Sequence, residues 1–348
     1  MPTSQEEMSK LAQELTEFLR SKLGDSVSIT GDISALKGGF DTDTYALSID
    51  TAPMDFPSDL VLRLFRHARE ANRVIKEATI QNAAASGGHA VPSVPIDSTG
   101  ELIIGRPFFL MERFPGINMG ESLMQDQTLM QQFPGIIAKL QEGIHKLDTT
   151  KLRKRLDDVA GGSDHMKPTR MIGDITGIAE ATQLPDLLEL NQWLITNYPE
   201  QPENPSICHG DLHPNNILVD DGKVTGIIDW ATTMFTHPEY DIAVTRTILS
   251  IGPPGDIGVS AEELNKLLEW ANGEYMKECH ALQTLDDSKI DYYSVLRVGH
   301  AYAKVLGKRH GSDLPYVAHD GYAWDRPDMF EVVTRIIGET TGIKMVSA

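Results

Sequence analysis

A chain of 348 residues with a formal net charge of −19 is too long for one ordinary hydrophobic core and too acidic to lie against a phosphate backbone, which argues for two packed domains and against a nucleic-acid partner. Its composition, 41% hydrophobic and 23% charged, is that of a globular protein, and no run approaches the ~18 unbroken apolar residues of a membrane helix. The N-terminus, Met1-Pro2-Thr3-Ser4, lacks the basic and apolar regions of a signal peptide, and two cysteines, Cys208 and Cys279, make neither a disulfide framework nor a zinc site, so no membrane partner and a cytoplasmic location are expected.

From the start of the chain, Ser4 and Glu7 form a capping-box pair. Met8, Leu11, Leu15, Phe18, Leu19 and Leu23 then recur at helical spacing until Gly24. Strand character follows over residues 27–37, 43–50, 60–65 and 102–112. The polar, alanine-rich stretch 68–86 predicts a helix that ends at Gly87-Gly88. Beyond Phe114-Pro115-Gly116 the pattern becomes helical, over 121–148, 184–197, 240–250, 261–282 and 290–308. The exception is 202–230, where Ile217-Leu218-Val219 and Val224-Thr225-Gly226-Ile227-Ile228 flank Asp220-Asp221-Gly222. An Asp-Gly step between two such runs predicts a β-hairpin. The expectation is an α+β protein with a β-rich part over 1–112 and a helical part over 113–348.

The chemistry concentrates at 207–230, which reads Ile-Cys-His-Gly-Asp-Leu-His-Pro-Asn-Asn-Ile-Leu-Val-Asp-Asp-Gly-Lys-Val-Thr-Gly-Ile-Ile-Asp-Trp. His209, Asp211, Leu212 and Asn216 fall on the spacing of a kinase catalytic loop, and Asp229 follows the hairpin where the metal-binding aspartate stands. Phosphoryl transfer needs Mg²⁺, which takes hard oxygen ligands: the amide oxygen of Asn216 and the carboxylate of Asp229 are candidates. Asp211 is the candidate to orient an acceptor hydroxyl and take its proton. Singly, each of these is an ordinary turn, capping or packing residue; their joint register is what points to the chemistry.

His-Gly-Asp-Leu-His-Pro-x-Asn-Ile-Leu-Val, followed by Ile-Ile-Asp-Trp, resembles the aminoglycoside phosphotransferase and choline-kinase-like family of two-lobed, protein-kinase-like small-molecule kinases. The resemblance implies an ATP-dependent phosphotransferase with Mg²⁺, a nucleotide-binding lobe over 1–112 and a catalytic and acceptor-binding lobe over 113–348. It implies Asp211 as the catalytic aspartate and Asn216 and Asp229 as metal ligands. His209 would lend structural support, and Asp241 would be a buried brace of the loop, for which capping the helix at 242–250 is an alternative. Asn215 stands where relatives carry glycine, and asparagine tolerates left-handed geometry. His145, at the end of a helix, reads as a packing residue.

In the first lobe, Leu36-Lys37-Gly38-Gly39-Phe40 resembles the family's phosphate hairpin, in which paired glycines let backbone amides close on phosphate. Arg63, in Leu60-Val61-Leu62-Arg63-Leu64, stands at the phosphate-pairing position, with Arg66 as rival. Glu77 is the expected partner of Arg63, with Glu70 as alternative. Met111 to Phe114, including Arg113, would be the hinge that receives adenine.

The acceptor would be a small-molecule hydroxyl. A cation would suit the acidic charge, although acidity serves solubility equally well. Asp286, Asp287, Asp291, Tyr292 and Tyr293, or Tyr316 to Asp325 with Trp324, could line its pocket, or could be helix ends and packing. Two other readings compete: a metal-dependent hydrolase built on His209, Asp211, His213 and His237, and a non-catalytic nucleotide-binding pseudokinase. A protein kinase is disfavoured, because the stretch from Asp229 to Asp241 is too short for an activation segment.

Overall fold

The computed structural model describes residues 5–36, 42–67, 70–98, 100–158, 162–252, 258–319, 322 and 324–346. Ser4 of the expected capping box and Lys37, Gly38 and Gly39 of the expected phosphate hairpin lie outside them. The chain forms two compact units. One comprises Met1–Met119, Lys151–Gly162 and Ile217–Ala231; the other comprises Gly120–Thr150, Ser163–Asn216 and Thr232–Ala348.

The first unit begins with α1 (Gln5–Leu23), whose Leu11, Leu15, Phe18 and Leu19 are buried, as the helical spacing predicts. Gly24, at φ +116°, ends it and donates its N–H to Arg20 O. A five-stranded antiparallel sheet follows, built from β1 (Ser28–Ala35), β2 (Thr42–Asp50), β3 (Asp59–Phe65), β4 (Ile96–Asp97) and β5 (Phe108–Glu112) in the order β1-β2-β3-β5-β4. The helix α2 (Ala71–Ser86) crosses between β3 and β4 and stops at Gly87. Central β3 is buried on both faces because it separates two apolar clusters. Leu60, Leu62 and Leu64 pack with α1, while Val61 and Phe65 pack with Val74 and Ala78 of α2. The two-residue period of a strand therefore places Arg63 on the α2 face.

The expected strand over 102–112 is corrected to β5 alone. Ile104 (φ +47°) and Gly105 (φ +74°) make a tight turn between the bridged residues Ile103 and Arg106, and Pro107 has no N–H to extend the ladder. The predicted hairpin is present as β8 (Ile217–Asp220) and β9 (Lys223–Ile227), edged by β6 (Ile117–Asn118) and joined by Asp221 and Gly222, both at positive φ. That is the geometry a two-residue Asp-Gly turn supplies. Ile227 N–H donates to Ala90 O and ties β9 to the loop after α2.

The second unit is helical. The run 121–148 divides into α3 (Met119–Leu123) and α4 (Gln127–His145), because Asp126 caps α4 by accepting from Thr128 N and Leu129 N. The stretches α5 (Thr150–Asp157), which from Lys151 on belongs to the first unit, and α6 (Thr169–Thr182) escape the sequence reading; α7 (Pro185–Thr196) does not. After β7 (Ser206–Cys208), which pairs with β10 (Met234–Thr236), come α8 (Pro238–Ile251), α9 (Ala261–Leu282), α10 (Asp287–Arg309) and the unanticipated α11 (Pro327–Thr341). A capping box of Ser260 and Glu263 fixes the start of α9 where the sequence puts it. Among the described residues, no helix is long and apolar enough to cross a membrane.

Gly116 shows how tightly the hairpin is seated. Its φ is +102°, and a Cβ there would collide with the Val219 carbonyl. Gly24 has a comparable φ and open space around it. Gly116→Ala is expected to destabilise the protein by about 1–3 kcal/mol more than Gly24→Ala, read from urea midpoints; equal shifts would mean that the hairpin yields freely.

Candidate active site

The loop after β7 is built around one buried carboxylate. Asp241, fully buried in the first turn of α8, accepts from His209 N–H (Oδ2, 3.0 Å) and Gly210 N–H (Oδ1, 2.8 Å). His145 Nε2, at the end of α4, lies 3.0 Å from Asp241 Oδ2. Burial by itself would raise the Asp241 pKa, but the His145 hydrogen bond, the His145 and His209 charges and the Gly210 amide together hold it below the usual carboxylate value. Gly210 is at φ +78°, and a Cβ there would strike Thr232 O, so only glycine fits. Thr245 Oγ1 donates to Leu212 O at 2.7 Å, and Gln141 Nε2 bonds both Thr245 Oγ1 and Asp241 O. The loop is thus held from α4 and α8 at successive residues.

Three expectations are corrected here. The N-cap of α8 is His237, so Asp241 is a brace of the loop and not a cap. His145 is more than a packing residue, because its ring bonds that brace. The left-handed geometry foreseen for Asn215 is not used: Pro214–Asn216 is one turn of 3₁₀ helix, and Asn215 is not among the residues of positive φ.

Asp211 leaves this loop with its carboxylate partly exposed. Oδ2 accepts from Asn216 Nδ2 (3.3 Å) and lies 3.6 Å from His213 Nε2, while Oδ1 lies 3.5 Å from Arg297 Nη2 on α10. Desolvation pushes its pKa up, but the His213 hydrogen bond and the charges of His213, Arg297 and His209 outweigh it and bring the value to about 2. The group is an anion at neutral pH. Asn216 Nδ2 also donates to Asp211 O at 2.9 Å. Its amide is therefore oriented with nitrogen inward and Oδ1, a hard donor, left for another partner.

In the first unit, Arg63 is buried and sits 3.5 Å from Glu77 Oε2 and 3.3 Å from Asp229 Oδ1, with its guanidinium 5.6 Å from the Phe109 ring. Its Nε is buried with no hydrogen-bond partner among the described residues. Glu77 is also held by Arg73 Nε at 2.8 Å, while Glu70 serves Arg73 Nη1 and His67 N–H. Burial raises the Glu77 pKa against the pull of Arg63 and Arg73. Arg66 is half exposed and, among the described residues, approaches the carboxylate of Asp43 alone, at 3.9 Å. The geometry thus separates Arg63 from Arg66 and Glu77 from Glu70. Asp229 has φ +65°, a backbone state that a non-glycine residue adopts at a cost and that clusters at functional sites. Along 111–114, Met111 is buried, and the N–H groups of Glu112 and Arg113 donate to Ser93 O and Asp59 O, which leaves that of Phe114.

Asp286 caps α10, Asp287 lies 3.2 Å from His280, and Asp291 pairs with Arg246. Tyr292 and Tyr293 are buried, bonded to Leu194 O and to Gln201, Thr236 and His237. These residues are helix ends and packing. Among the described residues, the one group of histidine, cysteine and carboxylate donors close enough to hold a metal ion is His145, Cys208 and Asp241; the set His209, Asp211, His213 and His237 required by a zinc hydrolase does not assemble. The sequence reading missed Arg297 and Arg73. Arg73 could have been found from its i, i+4 spacing to Glu77, but Arg297 has no local signal at all.

The Asp241 anion also contributes to stability. Its folded pKa is depressed, so the contribution is present above the unfolded value of about 3.9 and is lost as pH falls through the lower folded value. Asp241→Asn is expected to cost about 2–4 kcal/mol at pH 7 and to flatten the loss of stability below about pH 4. A denaturation series across pH checks both, and an unchanged acid limb would exclude Asp241 as the titrating group.

Comparison with known proteins gives this geometry a family. The phosphotransferase enzyme family matches residues 32–278. Acyl-CoA dehydrogenase family member 11 of Rattus norvegicus is 27% identical over 189 residues, a match that covers 50% of this chain and 23% of that protein. This chain thus spans under a quarter of the curated relative's length. A Ralstonia eutropha JMP134 protein provisionally named an aminoglycoside phosphotransferase superposes with a TM-score of 0.62 at 18% identity, covering 93% of this chain and 98% of that one. A thermostable mutant of aminoglycoside phosphotransferase APH(4)-Ia, in ternary complex with AMP-PNP and hygromycin B, gives 0.59 at 16% identity, covering 93% and 99%. At such identities the likeness is one of fold, and it agrees with the α+β, protein-kinase-like architecture that the sequence predicts. A family pattern running through both units, over a loop that Asp241 braces and that carries the Asp211 carboxylate, makes this chain a member of the phosphotransferase enzyme family.

Proposed function

We propose that the chain is an ATP-dependent small-molecule kinase that transfers the γ-phosphoryl group to a hydroxyl, with Asp211 as the acceptor-side carboxylate. The observation that carries this reading is Asp211 itself: an ionised carboxylate, accessible at the end of a loop held rigid from α4 and α8. In the proposed reaction, the acceptor oxygen forms a bond to the γ-phosphorus as the bond to the β-phosphate oxygen breaks. ADP leaves with that electron pair, and the hydroxyl proton passes to Asp211. A carboxylate with a pKa of about 2 is a weak base, so its main work is to orient the hydroxyl and accept the proton late, as the oxygen becomes acidic.

The reading assigns nucleotide binding to the lobe over 1–112 and acceptor binding to 113–348. Arg63 would pair phosphate oxygens with its unpartnered Nε and its fork, held by Glu77. The 111–114 segment would receive adenine through the Phe114 amide in place of that of Arg113. Lys37, Gly38 and Gly39 would close on phosphate. The donor chemistry fits Mg²⁺: the Oδ1 of Asn216, left outward by the Nδ2 hydrogen bonds, and the carboxylate of Asp229 are hard oxygens. When bound, the ion would neutralise phosphate charge. His209 and Asp241 would support the loop. The pseudokinase reading is not favoured, since the carboxylate and amide positions are all occupied by the residues the chemistry needs.

ADP release from Mg·ATP, measured across hydroxylated small molecules with Asp211→Asn as the blank, tests the reading. Asp211→Asn is expected to lower kcat by roughly 10²–10⁴-fold with nucleotide binding retained; unchanged turnover would remove Asp211 from that role. Asp229→Ala should abolish magnesium-dependent nucleotide binding. Arg63→Ala should raise KM for ATP by about 10–100-fold with a smaller effect on the acceptor, and a silent Arg63→Ala beside an impaired Arg66→Ala would reverse the assignment.

A further inference from the structure

The contact between Arg297 and Asp211 bears on the chemical class of the acceptor, given the kinase reading above. Arg297 lies in α10, and its Nη2 is 3.5 Å from Asp211 Oδ1, at the far limit of a hydrogen bond. Its side chain is only 16% exposed. Its Nε is buried with no hydrogen-bond partner among the described residues, and its guanidinium lies against Trp324, with Cζ 5.6 Å from the ring centre. The guanidinium is therefore largely desolvated, clamped by an aromatic face, and provided among the described residues with one long acceptor for a fork of five donors.

A group in that condition is suited to an anion. Carboxylates and phosphates meet a guanidinium through two parallel N–H···O bonds, which Asp211 does not provide here. Loop bracing does not require the contact either, because Asp241, Thr245 and Gln141 already fix the loop. Nearby on the same face of α10, His300 is taken by Asp174 at 3.0 Å, and Lys304 lies over the Tyr322 ring. A cation approaching Asp211 would meet the Arg297 charge. An anion would satisfy it and release Asp211 Oδ1 for the hydroxyl. The acidity of the whole chain is no guide to this point, since long-range charge is screened within a Debye length, whereas Arg297 is in contact with the reacting carboxylate.

We propose that the acceptor carries a carboxylate or phosphate group close to its reactive hydroxyl, and that Arg297 is the specificity residue that binds it. The test is a set of acceptors sharing one carbon skeleton: a hydroxy acid, its neutral amide, the corresponding amino alcohol and the corresponding phosphate monoester. ADP release from Mg·ATP is measured with wild-type protein, Arg297→Met and Arg297→Lys, each checked for an intact fold by thermal melting. The hydroxy acid or the phosphate ester should exceed both the amide and the amino alcohol in kcat/KM by about 10-fold or more, and whichever leads identifies the anion. Arg297→Met should lower kcat/KM for that acceptor by about 10–100-fold, mainly through KM and far more than for the amide, and Arg297→Lys should restore part of it. Preference for the amino alcohol would overturn the proposal. So would an equal fall in kcat for all acceptors, which would make Arg297 only a positioning residue for Asp211. Failure of both anionic acceptors while Mg·ATP still binds would reject this inference alone; absence of Mg·ATP binding would reject the kinase reading beneath it.

Discussion

The loop after β7 depends on a carboxylate that never meets solvent. Asp241 is wholly buried, and both its oxygens are spent on the protein: two backbone amides of the loop and the ring of His145. An isolated anion at that depth would be costly; one that accepts charge-assisted bonds on each oxygen is not. Around it Gln141 and Thr245 extend the network to Leu212, and the Tyr275 hydroxyl in turn donates to Gln141. Such a network fixes the backbone from residue 209 to 212 in one conformation, and with it the position from which the Asp211 side chain projects.

The two units handle buried charge by the same rule. In the first, Arg63 and Glu77 are nearly inaccessible, and each has a second partner: Asp229 for the arginine and Arg73 for the glutamate. In the second, Asp241 has His145, and Asp211 has His213 and Arg297. A pair taken out of water gains only when its remaining donors and acceptors are also met. That measure is not met everywhere: among the described residues, Glu77 Oε2, His145 Nδ1 and the Nε atoms of Arg63 and Arg297 are buried without a hydrogen-bond partner. The two arginines are those to which the proposals assign a ligand.

Much of the fold was legible because its cues are local. The helix at 261–282 carries its own capping box, α1 its apolar stripe and terminal glycine, and the hairpin its Asp221-Gly222 turn. Where the sequence misled, a neighbouring constraint had prevailed. Residues 102–107 have strand-like composition, but a turn at Ile104-Gly105 and the missing N–H of Pro107 end the ladder. The helices α6 and α11, which the sequence reading passed over, pack against α10, a partner that sequence periodicity does not contain.

The sequence by itself determined the register of the chemistry: His209, Asp211 and Asn216 in one loop, Asp229 past the hairpin, Asp241 in the helix beyond. These spacings are properties of contiguous chain, and turn and capping rules act over just that range. Only the tertiary structure decided that Asp241 braces the loop where it could have capped a helix, that Arg63 and not Arg66 faces Glu77, and that Arg297 lies against Asp211. Each of those outcomes joins side chains far apart in sequence, 32, 14 and 86 residues in turn. Which one forms is set by the packing of strand against helix and helix against loop, where burial makes a charge choose its partner.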